Sequence, residues 1–427
     1  MGRFVEREWR SKSFREGLSR RQSRSGWYRA YVPDALADRR ITFEAAVAAD
    51  VADAERSIAR LDIEARALAN TEALARLLLR AESVASSKIE GLTVSPQRLL
   101  KADIARAEGE PSNDATAFEV LANVDAMAYA IDGTGAEIGI ERILEFHRRL
   151  LAPTRIAMSG GQIRTEQNWI GGTSYNPFGA AFVPPPPDEV PGLLDDLCAF
   201  CSGDELSAVA QAAIAHAQFE TIHPFADGNG RTGRAFVQMI FRRRGLVTRT
   251  LPPVSLVLAT RAEDYVAALQ ATRFEGPPES LDAMKSANDW VGLFATACTQ
   301  AVSDAESFEQ RVEALRLEWR ARLGSLRSDA SALTLLERLA TTPMVTARSV
   351  EGALGVSFNA ANRAIDTLVS AGILTTTRVG RRNRAFAAYE LVDAFTDLER
   401  RMASVERDTR LSKPRRAVPL PPAPRAK

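Results

Sequence analysis

The stretch "TIHPFADGNGRTGRAF", residues Thr221 to Phe236, decides how this chain is read. Its glycines at 228, 230 and 233 fit the G-x-G-x-x-G of a dinucleotide-binding turn. That turn needs a strand before it and an acidic residue about twenty positions later. Neither is present. "LSAVAQAAIAHAQFETI" ahead of it has helical periodicity and much alanine, and no acid follows until Glu263. The segment reads instead as a helix ending near His223, a stop at Pro224, a glycine turn, and a second helix from near Thr232.

The residues in that turn suit phosphate chemistry. Gly228 and Gly230 let successive N–H groups point into one concavity, and the following helix adds its positive end. Asn229 is placed to donate its side-chain amide there. Arg231 and Arg234, three apart, project from one helical face toward a polyphosphate. Asp227 offers a hard oxygen ligand for Mg²⁺. His223, one of three histidines, has the range of a general base near neutral pH. On these residues alone adenylyl transfer, phosphoryl transfer and hydrolysis stay open; a plain helix–turn–helix with solvated arginines is the bland alternative.

The bulk properties fit a chain of two or three domains. It has 427 residues, 45% hydrophobic and 26% charged, with a formal net charge of +1, so any affinity for nucleic acid must be local. The sequence predicts no membrane span and no secretory signal, which points to the cytoplasm. Cys198 and Cys201 form a C-x-x-C without a second pair. They read as buried small hydrophobes rather than a redox pair; with Cys298 the three cannot make a disulfide framework, which points to a reducing compartment.

The chain divides as follows. Residues 1–40 are basic and read as loosely ordered, and 41–110 as a helical region whose run from about Phe43 to Leu92 is capped by Gly91. Residues 111–305 are mostly helical, interrupted by the Gly- and Pro-punctuated "GGQIRTEQNWIGGTSYNPFGAAFVPPPP". A connecting helix at 306–330 leads to a distinct segment at 331–398, then a basic, Pro-rich tail at 399–427.

"HPFADGNGRTGR" resembles the signature of the Fic family, H-P-F-x-[DE]-G-N-G-R-x-x-R, at every fixed position. The resemblance implies a mainly α, helical Fic fold with a short β-hairpin flap. It also implies an adenylyltransferase moving AMP from Mg-ATP to a Ser, Thr or Tyr hydroxyl of a protein target or of the chain itself. His223 would be the base and Asp227 the Mg²⁺ ligand. Gly228, Asn229, Gly230 and Arg231 would hold phosphates, with Arg234 on the γ-phosphate.

"SSKIEG", Ser86 to Gly91, resembles the family's inhibitory motif. It implies that Glu90, at a helix end where its charge opposes the dipole, pairs with Arg234 and blocks the γ-phosphate. Ser86 is the other fixed position. The stretch around Trp169 and Ile170 resembles the flap, where an exposed edge would align a target. Trp169 reads equally as core, and His147 and His216 as packing. Removal of AMP, and transfer of another phosphate-linked group, remain variants within the family.

Residues 331–392 resemble a winged helix-turn-helix, with helices at Ala347–Leu354 and from Phe358 to Ser370, then two strands. Asn359, Asn362 and Arg363 would approach a DNA groove, with Arg381, Arg382 and Arg384 on phosphates. Protein recognition and dimerisation are the competing uses. A DNA-binding regulator that senses ATP is therefore the rival to the enzyme, and a homodimer is a further expected partner state.

Overall fold

The computed structural model describes residues 2–11, 19–67, 71–110, 113–132, 137–277, 279–325, 327, 330–379 and 383–402. Two strands open the chain, β1 (Gly2–Trp9) and β2 (Gly26–Pro33). Helices α1 (Ala45–Ala67), α2 (Thr71–Ile89) and α3 (Pro96–Ala107) follow. The central part holds α4 (Ala115–Ile131), α5 (Ile140–Leu151), α6 (Val190–Ser202), α7 (Ala208–Ile222), α8 (Asn229–Arg243), α9 (Val254–Thr260) and α10 (Ala262–Ala271). Helix α11 (Leu281–Leu323) leads to α12 (Ser331–Leu339), β3 (Met344–Val345), α13 (Ala347–Leu354) and α14 (Phe358–Ser370). β4 (Thr375–Val379), β5 (Asn383–Ala387) and α15 (Tyr389–Met402) complete the order. The fold is mainly α, as the sequence implies.

Helix α7 shows why these residues build this interior. Ser207 caps its start by accepting from the Ala210 amide. Nearly every residue after that is buried, and its alanines let α6, α8 and α11 approach closely. A helix apolar all round belongs inside a domain. Trp290 of α11 donates Nε1–H to the Ala213 carbonyl at 2.8 Å, so even its polar atom is satisfied.

Helix α2 is pinned from two sides by buried polar contacts. Asn123 of α4 donates to the Ser83 carbonyl at 2.8 Å and to Ser87 Oγ at 3.0 Å. On the other side the Glu82 carboxyl accepts from Ser255 N at 2.8 Å and Ser255 Oγ at 2.5 Å. Gly91, at φ 81°, ends the helix with Gly91 N bonded to Lys88 O and Leu92 N to Ser87 O. Glycine adopts that left-handed turn without the Cβ penalty.

Three expectations need correction. The first forty residues are not loosely ordered where described: β1 and β2 pair antiparallel from Gly2↔Pro33 to Trp9↔Gly26. β1 carries charged residues on both faces, and its Arg3 and Arg7 reach Glu189 and Asp188 at 3.6 and 3.9 Å, so apolar alternation is missing from the sequence. The connecting helix is not separate but the second half of α11. Buried Ala301, Val302, Ala305, Phe308, Leu315 and Trp319 continue its apolar face. The flap is held by two isolated bridges, Ile170↔Phe182 and Thr173↔Asn176, rather than by strands, because Gly171 and Gly172 at φ 76° and 74° interrupt the extended run.

Beyond α11, β3, β5 and β4 form one antiparallel sheet in that order, with β3 and β4 against α3. Thr346 and Ser349 form a capping box at the start of α13, and Ser357 caps α14. The module rests on the core through Arg322 with Glu390 at 2.9 Å and Arg316 with Glu337 at 2.5 Å. Residues 403–427, most of the expected tail, lie outside the described residues. Among the described residues no helix is long and apolar enough to cross a membrane.

Candidate active site

Helix α7 ends at His223, the only non-glycine residue with positive φ among those described, at φ 51° and ψ 59°. That conformation costs a non-glycine residue about 1 kcal/mol and persists only where its surroundings fix it. Here they do. His223 N donates to Phe219 O at 2.9 Å, and His223 O accepts from Arg164 Nε at 2.9 Å and Asn168 Nδ2 at 3.3 Å. Burial, with the Arg273 and Arg164 cations adding to it, lowers the imidazole to about 4. It is therefore neutral near pH 7 and free to take a proton.

The next helix starts earlier than expected, at Asn229 rather than near Thr232. Gly228 caps it at φ 77°, so Asn229, Gly230 and Arg231 form its first turn, whose amides have no partner within the helix. A side chain at Gly228 would press on Leu150 and His147, at 3.2 and 3.4 Å. Asn229 departs from its expected role. Its buried side chain accepts from Phe225 N and donates to Phe225 O, both at 2.8 Å, so it ties the turn instead of facing an anion.

Charge is concentrated around this turn. The Arg231 side chain is 4% exposed and lies 3.8 Å from Asp227, which is 59% exposed. Its Nε and Nη1 find no acceptor among the described residues. Burial lowers its affinity for the proton, with Asp227 and Glu90 opposing. Asp227 Oδ1 accepts from Gly228 N at 2.6 Å. A single exposed carboxylate with an open side suits Mg²⁺, which takes one or two carboxylates together with phosphate and water; the donor set fits that ion.

Arg234, one turn on, turns toward α2. It donates from Nε to Ser86 Oγ at 2.9 Å, and from Nη2 to Ser86 O at 2.8 Å and Glu90 Oε1 at 2.9 Å. Burial opposes its charge, but Glu90, Tyr265 and Glu220 outweigh that and hold the guanidinium protonated. Burial acts against ionisation of Glu90 also, yet Arg234, then Arg231 and His223, pull its carboxyl below the usual range. The Glu90 carboxylate lies over the first turn of α8, where any Cβ at Gly230 would collide with Oε1. An anionic group thus already sits at the anion-binding end of that helix.

Two groups in the site carried no signal as such in the sequence. His147, expected only to pack, stacks on Phe225 at 3.7 Å and bonds through Nε2 to Asp227 O at 2.9 Å. Its Nδ1 accepts from Gly161 N at 3.0 Å. A carbonyl only accepts and an amide only donates, so the proton must be on Nε2. Burial lowers this imidazole to about 4, which keeps it in that neutral form. Arg164, buried, spans the His223 and Pro185 carbonyls. Both residues lie far from the glycine turn in sequence.

Other expected site residues fall outside this cluster. Trp169 is half-buried, donates to Thr173 O at 2.6 Å and meets Trp9 edge to face, so it packs within the flap; Ile170 is exposed. His216 is buried between Tyr265 and Trp290, bonded to Tyr265 Oη at 2.8 Å. Cys198 and Cys201 stay free thiols, and burial pushes Cys198 up to about 12. In the C-terminal module Asn359, Arg363 and Arg384 are exposed, whereas Asn362 spends its amide on Phe358 O at 3.0 Å. Arg381 and Arg382 lie outside the described residues.

Residues 137–241 match the model of the Fic/DOC family, and residues 48–132 that of the Fic/DOC family N-terminal region. Over 132 residues the chain is 37% identical to protein adenylyltransferase fic-1 of Caenorhabditis elegans, covering 30% of this chain and 23% of that protein. Over 246 residues it is 30% identical to protein adenylyltransferase Fic of Drosophila willistoni, covering 54% and 45%. The chain thus spans less than half the length of these curated relatives. Its fold is similar to that of a Fic family protein from Desulfovibrio desulfuricans G20, at TM-score 0.50 and 22% identity over 81% of this chain and 97% of that one.

Proposed function

We propose that this chain, which carries the Fic/DOC domain and its N-terminal companion, is a protein adenylyltransferase restrained by Glu90. One arrangement carries the reading: His223, held in a left-handed turn by Arg164 and Asn168, stands just ahead of the α8 first turn, which the buried, under-satisfied Arg231 flanks. The substrate is ATP and the acceptor a Ser, Thr or Tyr hydroxyl of a protein, the chain itself included. His223 takes the hydroxyl proton as that oxygen bonds to the α-phosphorus. The bond from the α-phosphorus to the bridging oxygen breaks, and pyrophosphate leaves with the electron pair. The α8 amides and Arg231 hold phosphate oxygens, and Arg234 would hold the γ-phosphate once Glu90 withdraws. Mg²⁺, held by Asp227, would offset phosphate charge.

Purified Glu90→Gly protein given α-labelled or γ-labelled ATP tests this. Only the α-label retained on protein is the expected result. Only the γ-label would indicate phosphorylation, and neither label would favour the regulator that senses ATP. Release of AMP from labelled protein by the wild type would assign Glu90 a part in the reverse reaction.

The exposed Asn359 and Arg363 on α14, with Arg384 on β5, support DNA as a second partner of the C-terminal module. Three helices with a three-stranded antiparallel sheet support reading the module as a winged helix-turn-helix. Retention on DNA that weakens with salt, and is lost when Arg381, Arg382 and Arg384 are neutralised, is expected. No retention at low salt would remove this reading.

A further inference from the structure

The flap from Gln167 to Val183 has little to hold it from within. Its two arms meet at the single bridge Ile170↔Phe182, its tip at Thr173↔Asn176, and Gly171, Gly172 and Gly179 all have positive φ. So short a hairpin is marginal without outside support. The β1–β2 hairpin supplies it along the whole length. Tyr28 Oη donates to Gln167 Oε1 at 3.1 Å on one arm, and Tyr31 N to Val183 O at 2.9 Å on the other. At the tip Asn176 Nδ2 donates to Arg21 O and Gln22 O, at 2.9 and 3.0 Å, and the Arg24 guanidinium lies 4.4 Å from the Phe178 ring. Between them Trp9 meets Trp169 edge to face, with ring centroids 5.2 Å apart.

The support reaches the catalytic loop. Asn168, next to Trp169, donates to both His223 O and Phe225 O. Any tilt of the Trp169 arm therefore moves the group that fixes the left-handed His223 backbone. We propose that Trp9 is a positioning residue: through Trp169 and Asn168 the N-terminal hairpin sets the flap, and with it His223, for the hydroxyl-bearing segment. This rests on the transferase reading above.

The test uses the full chain carrying Glu90→Gly, with Trp9→Ala or Trp9→Phe added, and two readouts. Hydrogen exchange of the Ile170 and Ala181 amides, which bond to Phe182 O and Ile170 O, is expected to speed up in Trp9→Ala. Exchange within α7 and α8 is expected to stay as in the parent. Maximal self-labelling with α-labelled ATP should fall about fivefold while half-saturating ATP stays within about twofold, a loss at the reacting geometry rather than in nucleotide binding. Trp9→Phe, which keeps a ring edge on Trp169, should restore both readouts. Unchanged exchange at Ile170 and Ala181 in Trp9→Ala overturns the proposal. So does a rise in half-saturating ATP that accounts for the lost labelling. If the Glu90→Gly parent does not label at all, the transferase reading falls, and exchange alone still decides the role of Trp9. Arg24→Ala, an exposed change against Phe178, gives the same exchange readout should Trp9→Ala not fold.

Discussion

Glu90 Oε1 accepts from Arg234 Nη2 at 2.9 Å while the same carboxylate covers the first turn of α8. One side chain therefore pairs with the cation and covers the helix turn that the proposed triphosphate would use. Glu90→Gly should raise α-label incorporation about tenfold or more. Equal incorporation by wild type and variant would show that this contact is no restraint.

His223→Ala should lower labelling in the Glu90→Gly background by about 10²-fold or more, the typical contribution of a general base. ATP binding, followed by titration calorimetry, should persist. Because burial lowers the imidazole to about 4, it remains a base well below its ordinary range. Labelling should be level from about pH 8 to about pH 5 with respect to this group and fall as pH drops through 4. A half-point near the unperturbed histidine value would contradict the buried geometry.

Asn229→Asp replaces the amide that donates to Phe225 O with a carboxylate oxygen facing that carbonyl. The loss of a buried hydrogen bond and the added repulsion should cost about 1–3 kcal/mol. Thermal unfolding without nucleotide should show it. No change in melting temperature would return Asn229 to the phosphate-binding role its sequence position suggests.

Glu220 is 7% exposed, its Oε1 lacks a partner among the described residues, and burial raises its carboxyl from 4.5 to about 7. The sign follows from linkage. The folded state binds the extra proton, so this contribution to stability is fully present below 4.5 and lost as pH rises through 7. Glu220→Gln imitates the protonated form at every pH. Its melting temperature relative to wild type should therefore improve from about pH 5 to about pH 8. A constant difference would mean that Glu220 is ionised in the fold.

Gly233→Ala tests the packing between α7 and α8. A Cβ there would lie 2.5 Å from Glu220 Oε1, 3.1 Å from Phe219 Cδ1 and 3.2 Å from His216 Nδ1. Overpacking of this kind costs about 1–3 kcal/mol. Denaturant unfolding should show a lower midpoint with an unchanged slope.

The sequence disclosed those parts of the molecule whose causes are local. Pro224, Gly228 and Gly91 punctuate the backbone through their own φ preferences, and α13 and α14 start and stop where the serine, threonine and glycine signals stand. Arg234 and Glu90 were paired by a motif resemblance, not by spacing, since 144 residues separate them. His147 stayed hidden because its task depends on a carbonyl 80 residues away. The β1 strand is not legible because Arg3, Glu6, Arg7 and Glu8 put charge on both of its faces, which erases the alternation a strand is read from. Asn229 misled for the opposite reason: its place in a phosphate motif concealed a backbone brace.

Helix α11 runs 43 residues from Leu281 to Leu323, about 65 Å at a helical rise of about 1.5 Å per residue. Its first half lies beside α7 and its last turns beside α12 and α15. One unbroken helix therefore joins the two parts, with Trp290 buried against α7 near its start and Arg322 paired with Glu390 of α15 near its end. For the transferase proposed above, a partner bound by the C-terminal module would thus be linked to the His223 site through a single continuous helix.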